Sequence, residues 1–156
     1  MNYPKYTIDE FTLREVLINK DETMSWCKQN EDNREVVSFL RMLGELETAK
    51  KFGHKFLLST ENNLQKTKAL LRLASVYHWS NEFEIAKELF DECININNDI
   101  VTEAFIYQHL SKMYFDKKDY EHSHICALRA HKIRSNFDQD RLASTELILK
   151  RLSDFL

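Results

Sequence analysis

Backbone breakers are scarce in this sequence of 156 residues, which contains two glycines and one proline. That scarcity favours long helices joined by short connections, and it argues against a β-sandwich, a β-barrel or a disordered chain. With only Gly44 and Gly53 available, a glycine-rich phosphate-binding loop is nearly excluded. Neither a GxSxG nor an HExxH motif occurs. The sequence therefore predicts an all-α protein and gives an enzyme little support.

Other absences narrow the class of protein further. The three cysteines, Cys27, Cys93 and Cys126, form no CxxC pair, so we expect free buried thiols in a reducing cytoplasm. We also expect no cofactor and no metal, because His122 and His124 face apart on their helix and no carboxylate is spaced to complete a ligand set. Net charge is −3, from 22 basic and 25 acidic residues, which removes the electrostatic argument for binding nucleic acid or a membrane surface. No signal peptide is visible at the start, and no apolar run approaches the length that crosses a bilayer.

A repeat with a period of 37 residues is the main positive feature. The segment Gly44 to Ala49 recurs as Asn81 to Ala86 and again as Lys118 to Ser123, each 37 residues after the last. A fixed period of this length is typical of solenoids, in which each unit buries one face against its neighbour.

Each repeat unit is predicted to be a pair of antiparallel helices. In the middle unit, Leu70, Leu73, Ala74 and Tyr77 recur at helical spacing, and a second stripe begins at Phe83. The junctions between units keep the same period, because Asn62, Asp99 and Asn136 lie 37 residues apart. Asn and Asp are favourable helix N-caps, so each is predicted to start the next helix.

These stripes resemble the tetratricopeptide repeat, whose pattern is W-x₂-L-G-x₂-Y…A-x₃-F…P. The middle unit has Leu70-x₂-Leu73-Ala74-x₂-Tyr77…Ala86-x₃-Phe90, with Asn98 in place of the proline. The third unit has Tyr107-x₂-Leu110-Ser111-x₂-Tyr114…Ser123-x₃-Ala127, and the first unit matches less well. The period exceeds the family's value of about 34 by three residues. The resemblance covers residues 30–137 and implies a right-handed α-α superhelix of about three helix pairs.

The predicted organisation has three parts. Residues 1–29 form an N-terminal helical cap, residues 30–66, 67–103 and 104–137 form the three helix pairs, and residues 138–156 form a C-terminal capping helix. Within the N-terminal cap, a capping box at Thr7 to Glu10 predicts a helix to about Ile18, and Asp21 to Gln29 predicts a second one. The sequence leaves open whether these two helices are a degenerate repeat unit, and whether they cover the groove.

The resemblance also implies a binding site, because in tetratricopeptide arrays the first helices line a concave groove that holds ligands. The positions that correspond here are Arg34, Ser38, Arg41, Leu71, Arg72, Ser75, His78, Trp79, Phe105, Gln108, His109, Lys112 and Phe115. Cations interleaved with aromatic side chains suit an acidic-hydrophobic peptide or protein segment. Binding of chaperone tails is disfavoured, because the two asparagines of that clamp are absent and Phe105 replaces one of its lysines.

The leading hypothesis is therefore a non-catalytic, cytoplasmic binding module that acts as an adaptor or as a regulatory peptide sensor. The alternative is a structural subunit that self-associates through its terminal helices, as a homodimer or as part of a larger complex. Substitution of Arg72 and Trp79 discriminates between the two, because only the first hypothesis predicts a loss of partner binding.

Overall fold

A short β-hairpin followed by eight α-helices makes up the protein, and the computed structural model describes all 156 residues. The hairpin strands are β1 (Tyr6–Ile8) and β2 (Glu15–Leu17). The helices are α1 (Lys20–Gln29), α2 (Val36–Met42), α3 (Leu46–Leu58), α4 (Asn63–Trp79), α5 (Phe83–Ile96), α6 (Ile100–Asp116), α7 (Tyr120–Phe137) and α8 (Leu142–Leu152), with a 3₁₀ turn at Gln139–Arg141 before α8. Most of the chain outside the hairpin is helical, in agreement with the predicted all-α class.

The turns inside the three helix pairs have the same backbone conformation. Gly44, Asn81 and Lys118 lie 37 residues apart, and their φ angles are 81°, 61° and 64°. After each of them, the next amide donates a hydrogen bond to the carbonyl five residues earlier, from Glu45 to Leu40, from Glu82 to Tyr77 and from Asp119 to Tyr114. This left-handed ending is a common way to stop a helix. The period found in the sequence is therefore also a repeat of backbone geometry.

Two of the three predicted N-caps are confirmed. The side chain of Asn62 accepts a hydrogen bond from the Gln65 amide at 2.9 Å, and that of Asp99 accepts one from the Thr102 amide at 2.8 Å. The prediction for Asn136 is wrong, because α7 continues through Phe137 and the Asn136 side chain donates to the Lys132 carbonyl instead. Helix α7 breaks only at Asp138, so the last junction differs from the first two.

The core is built where the helix pairs stack. Its largest cluster joins α4, α5, α6 and α7 through side chains such as Leu70, Phe90, Ile106 and Met113. All three cysteines are buried and free, as predicted. Gly53 permits α3 to approach α4, because a Cβ atom there would come within 2.6 Å of Leu73 Cδ1. Gly53 therefore sets how closely α3 packs on α4.

The N-terminal segment departs from the prediction. The helix expected from Thr7 to Ile18 is wrong, since this stretch forms the antiparallel hairpin, in which Thr7 pairs with Val16. The Asp9 carboxylate caps no helix and instead accepts hydrogen bonds from the amides of Phe11 and Thr12, both at 2.8 Å, which closes the turn. The second expected helix, Asp21 to Gln29, is confirmed as α1. The C-terminal helix is confirmed as α8, although it ends at Leu152.

Candidate binding groove

Helices α2, α4 and α6, the first helices of the three pairs, contribute the side chains of one face, which we call the groove. The hairpin lies across this face and divides it into two sections. The open section is a cavity of about 410 Å³ between the hairpin and the three helices. Of the predicted site residues, those that line it are Ser38, Arg41, Leu71, Arg72, Ser75, Phe105 and His109. The covered section lies beneath the hairpin and comprises Arg41, His78, Trp79, Lys112, Phe115 and Asp116.

A buried carboxylate occupies the covered section. Glu15 Oε2 lies 3.0 Å from Arg41 Nη1, and Glu15 Oε1 lies 3.5 Å from Lys112 Nζ. All three side chains are almost fully buried. Burial by itself raises the pKa of Glu15, but the charges of Arg41 and Lys112 outweigh that effect and hold the pKa well below 4.5. The carboxylate is therefore ionised at neutral pH and joins β2 to both α2 and α6.

The end of α4 carries a second polar cluster under the hairpin. The guanidinium groups of Arg14 and Arg41 lie over the Trp79 ring, 4.6 and 4.7 Å from its centroid. Arg14 Nη2 also pairs with Asp116 Oδ2 at 3.0 Å, and the same oxygen lies 2.6 Å from His78 Nε2. Burial lowers the pKa of His78 although Asp116 opposes the shift. A neutral His78 therefore donates its Nε2 hydrogen to the Asp116 carboxylate.

The tip of the hairpin reaches the C-terminal helix. Leu13 is fully buried in an apolar cluster with Phe115, Ile148 and Leu152. Arg151 Nε donates a hydrogen bond of 2.9 Å to the Phe11 carbonyl. The hairpin thus extends from α2 to α8 and crosses the groove on the way.

Two of the predicted site residues lie outside both sections. Arg34 Nη2 donates to the Ser59 carbonyl at 3.1 Å, at the end of α3. Gln108 is buried at the other end of the array, where its side-chain carbonyl accepts hydrogen bonds from Arg134 and Thr145. Gln108 therefore links α6 to α7 and α8.

The open section combines cations with apolar surface. Lys68 is exposed and forms no ion pair, whereas Arg72 pairs with Glu35 at 2.7 Å. The side chains of Leu71 and Phe105 form the apolar part of the lining. Burial lowers the pKa of His109 to about 3, so this histidine is neutral at physiological pH. The section therefore offers apolar contact and one cation without an ion-pair partner, Lys68, while the carboxylates of Glu35 and Asp99 line it as well.

Sequence reasoning missed the residues of the hairpin, above all Leu13, Glu15 and Leu17. All three are buried, whereas Val16 between two of them is exposed. Alternation of this kind is typical of a half-buried strand, and in the sequence it could have identified β2. The match to a helix capping box, which covers the preceding residues, obscured it.

The fold and the groove together define a class of protein: an array of paired helices with a cavity of charged and apolar side chains on one face. Comparison of the chain with protein-family models, with curated proteins and with solved structures finds no match. No cluster of three or more His, Cys, Asp or Glu side chains is placed to hold a metal ion. None of the helices combines the length and the apolar character needed to cross a membrane.

Proposed function

We propose that this protein is a non-catalytic binding module of the tetratricopeptide type, whose helix pairs form a right-handed superhelix and hold a segment of a partner protein in the groove. The observation that carries the proposal is the open section of the groove. It is lined mainly by the first helices of the pairs, where this family binds its ligands, and it has room for several side chains.

The chemistry of the open section favours an acidic-hydrophobic partner segment. Lys68 lines the cavity without an ion-pair partner, whereas Arg72 and Arg141, which also line it, pair with Glu35 and Asp138. Leu71 and Phe105 supply apolar contacts next to these cations. A carboxylate would find charge-assisted hydrogen bonds there, and an aliphatic or aromatic side chain would gain burial.

The state of the thiols supports a role without catalysis. Burial raises the pKa of Cys27 and Cys126 to about 11 and that of Cys93 to about 12, so each is a neutral thiol at physiological pH. Three buried, unpaired cysteines also suit a reducing compartment. We therefore propose a cytoplasmic adaptor or regulatory peptide sensor.

Selection from a random peptide library, followed by affinity measurements on the selected peptides, tests this function. We expect enriched peptides to carry Asp or Glu next to aliphatic or aromatic residues. Lys68→Glu should weaken their binding at least about tenfold, because it reverses an unpaired charge at the cavity. Lys51→Glu makes the same charge change on an exposed lysine of α3 that forms no ion pair, and it should bind like the wild type. Equal binding by all three proteins would exclude the open section as the site.

Self-association through the terminal segments is the second candidate function. Large apolar side chains are exposed near both ends of the chain, among them Phe11, Ile18, Phe137 and Leu156. Sedimentation equilibrium should show a dimer if these segments pair two copies. Lys68→Glu should leave that dimer intact, which separates the two candidates.

A further inference from the structure

The hairpin places acidic and aliphatic side chains in the covered section. These are the same kinds of side chain that we propose the groove binds in a partner. Leu13, Glu15 and Leu17 are the buried residues of its second half, and they place one carboxylate between two aliphatic side chains. The carboxylate meets Arg41 and Lys112, and Leu13 packs on Phe115. The chain therefore fills part of its own groove with an acidic-hydrophobic segment.

We propose that residues 5–18 are an intramolecular ligand of the groove. The partner is an extended segment with one carboxylate flanked, two residues away on each side, by aliphatic side chains, and it binds the covered section by displacing the hairpin. This inference rests on the proposed function only in placing the partner in the groove.

The structure of the hairpin makes displacement feasible. Its strands have three residues each and pair only with each other, and a two-stranded hairpin of this size has little stability of its own. Much of its apolar surface, including Phe11, Val16 and Ile18, remains exposed. Leu13 adopts a left-handed conformation with φ of 64°, which is unfavourable for a leucine. No backbone–backbone hydrogen bond joins the hairpin to a helix of the array, so the helices keep their backbone hydrogen bonds when the hairpin leaves.

The residues beneath the hairpin determine which side chains a displacing segment must carry. If a segment without a carboxylate covered Arg41 and Lys112, both cations would be buried without a counter-charge, which is strongly unfavourable. Arg41 Nε is also buried without an acceptor, even with the hairpin in place. A purely apolar segment would leave these donors unsatisfied. The replacing segment must therefore bring a carboxylate to the position of Glu15.

The test uses a labelled peptide of residues 5–18 added to the 156-residue chain, with binding followed by fluorescence anisotropy. Glu15→Lys repels Arg41 and Lys112 and should release the tethered hairpin, so we expect this variant to bind the peptide at least tenfold more tightly than the wild type. Glu10→Lys makes the same charge change at an exposed hairpin residue that forms no ion pair, and it should match the wild type. A peptide with glutamine in place of Glu15 should lose at least tenfold in affinity for the Glu15→Lys protein.

Equal affinity of the wild type and Glu15→Lys for the peptide would overturn the proposal. The proposal would also fail if the peptide did not bind and the wild-type and Glu15→Lys chains formed a mixed dimer instead. The groove would then be occupied by the hairpin of a second copy of the chain. Because the probe is the chain's own segment, these results are independent of whether Lys68→Glu affects partner binding. Failure of the proposed function and failure of this inference are thus distinguishable.

Hydrogen exchange of the wild type keeps the proposal testable if Glu15→Lys does not fold. The Leu13 amide bonds to the Asp9 carbonyl at 2.8 Å, and the Ile18 amide bonds to the Lys5 carbonyl at 3.0 Å. Both amides should exchange at least a hundredfold faster than amides in the middle of α4 and α6, because the hairpin opens without the helices. Exchange at the same rate as those core amides would show that the hairpin is an integral part of the fold, and the proposal would fail.

Discussion

At the scale of single residues, the least expected side chain is Arg134. It is fully buried, yet it contacts no carboxylate. Its Nη1 donates hydrogen bonds to Gln108, to Ser144 at 3.1 Å and to Thr145 at 2.9 Å. Its guanidinium group lies over the Phe105 ring, 4.8 Å from the centroid. Burial lowers the pKa of Arg134, although the nearby charge of Asp138 opposes the shift, in keeping with a cation whose direct contacts are neutral dipoles and an aromatic face.

Substitutions of Arg134 test whether its charge or its volume stabilises the junction of α6, α7 and α8. Arg134→Ala should lower the free energy of unfolding by about 3 kcal/mol, because it opens a cavity and leaves Gln108 with fewer partners. Arg134→Met keeps most of the volume and removes a costly buried charge, so its loss should be about 1 kcal/mol or less. Urea denaturation followed by circular dichroism measures both. Equal losses for the two variants would contradict this account and assign the stabilisation to the charge.

At the scale of elements, the three equivalent turns use three different residues for one conformation. Gly44 suits a positive φ best, asparagine tolerates it, and lysine at position 118 adopts it at a cost of about 1 kcal/mol. A Cβ atom at Gly44 would meet nothing within 4 Å. Differences in stability between substitutions there are therefore conformational and not steric.

The turn residues consequently allow an ordered prediction. Lys118→Gly should raise the free energy of unfolding by about 0.5 kcal/mol, since relief of the left-handed strain exceeds the added entropy of the unfolded chain. Asn81→Gly should gain less, and Gly44→Ala should lose about 1 kcal/mol. Thermal unfolding of the three variants against the wild type gives the ranking. A lower melting temperature for Lys118→Gly would mean that the lysine side chain makes a compensating contact.

The elements also differ in how far the sequence could specify them. Helices α4 to α7 were predictable because their apolar spacing, their turns and two of their N-caps repeat with one period. The hairpin was not, because a three-residue strand carries too little periodic signal and Thr7 to Glu10 matches a helix start. That segment forms a hairpin because it packs on α2, α6 and α8, and a local sequence pattern does not report such contacts.

At the scale of the whole molecule, the hairpin connects distant parts of the array. Glu15 pairs with α2 and α6, and the Phe11 carbonyl accepts a hydrogen bond from Arg151, which is 140 residues away in the sequence. Beside these contacts, α4 and α6 keep two neutral histidines in the groove, the buried His78 and the half-buried His109, whose pKa values are both lowered by desolvation. The stability of the array should therefore depend on pH.

The direction of that dependence follows from the lowered pKa values. Below pH 6.5 the unfolded chain binds protons at His109, whereas the folded protein does not until its pKa of about 3. The stability that His109 contributes is thus complete above pH 6.5 and falls as the pH is lowered to 5. Because its ring is partly accessible from the groove, we expect a loss of about 1 kcal/mol, somewhat below the full linkage value.

His109→Gln provides the comparison, since it removes one titrating group from the groove. The variant should lose less stability than the wild type between pH 6.5 and 5, measured by urea denaturation at each pH. Part of the dependence should persist, because the pKa of His78 is lowered as well. Parallel pH profiles for the two proteins would show that His109 is not the group responsible.

Some residues of the groove were placed correctly by the sequence, and others were not. The register of α2, α4 and α6 indicated that Ser38, Leu71, Arg72 and Phe105 share a face, and these residues do line one cavity. The same register placed Trp79 and Lys112 as ligand contacts, yet the hairpin covers both. Helical spacing specifies which residues share a face, but it does not specify what else in the chain packs on that face.

By itself, the sequence determined the helix pairs, their period and the cationic and aromatic character of the groove. These properties depend on contacts within a helix or between neighbours in the repeat, so they appear as spacing along the chain. Only the tertiary structure decided that residues 5–18 form a hairpin, that Glu15 lies between Arg41 and Lys112, and that part of the groove is occupied. Those arrangements join residues far apart in sequence through buried charges. Their stability comes from desolvation and three-dimensional packing, which no local pattern encodes.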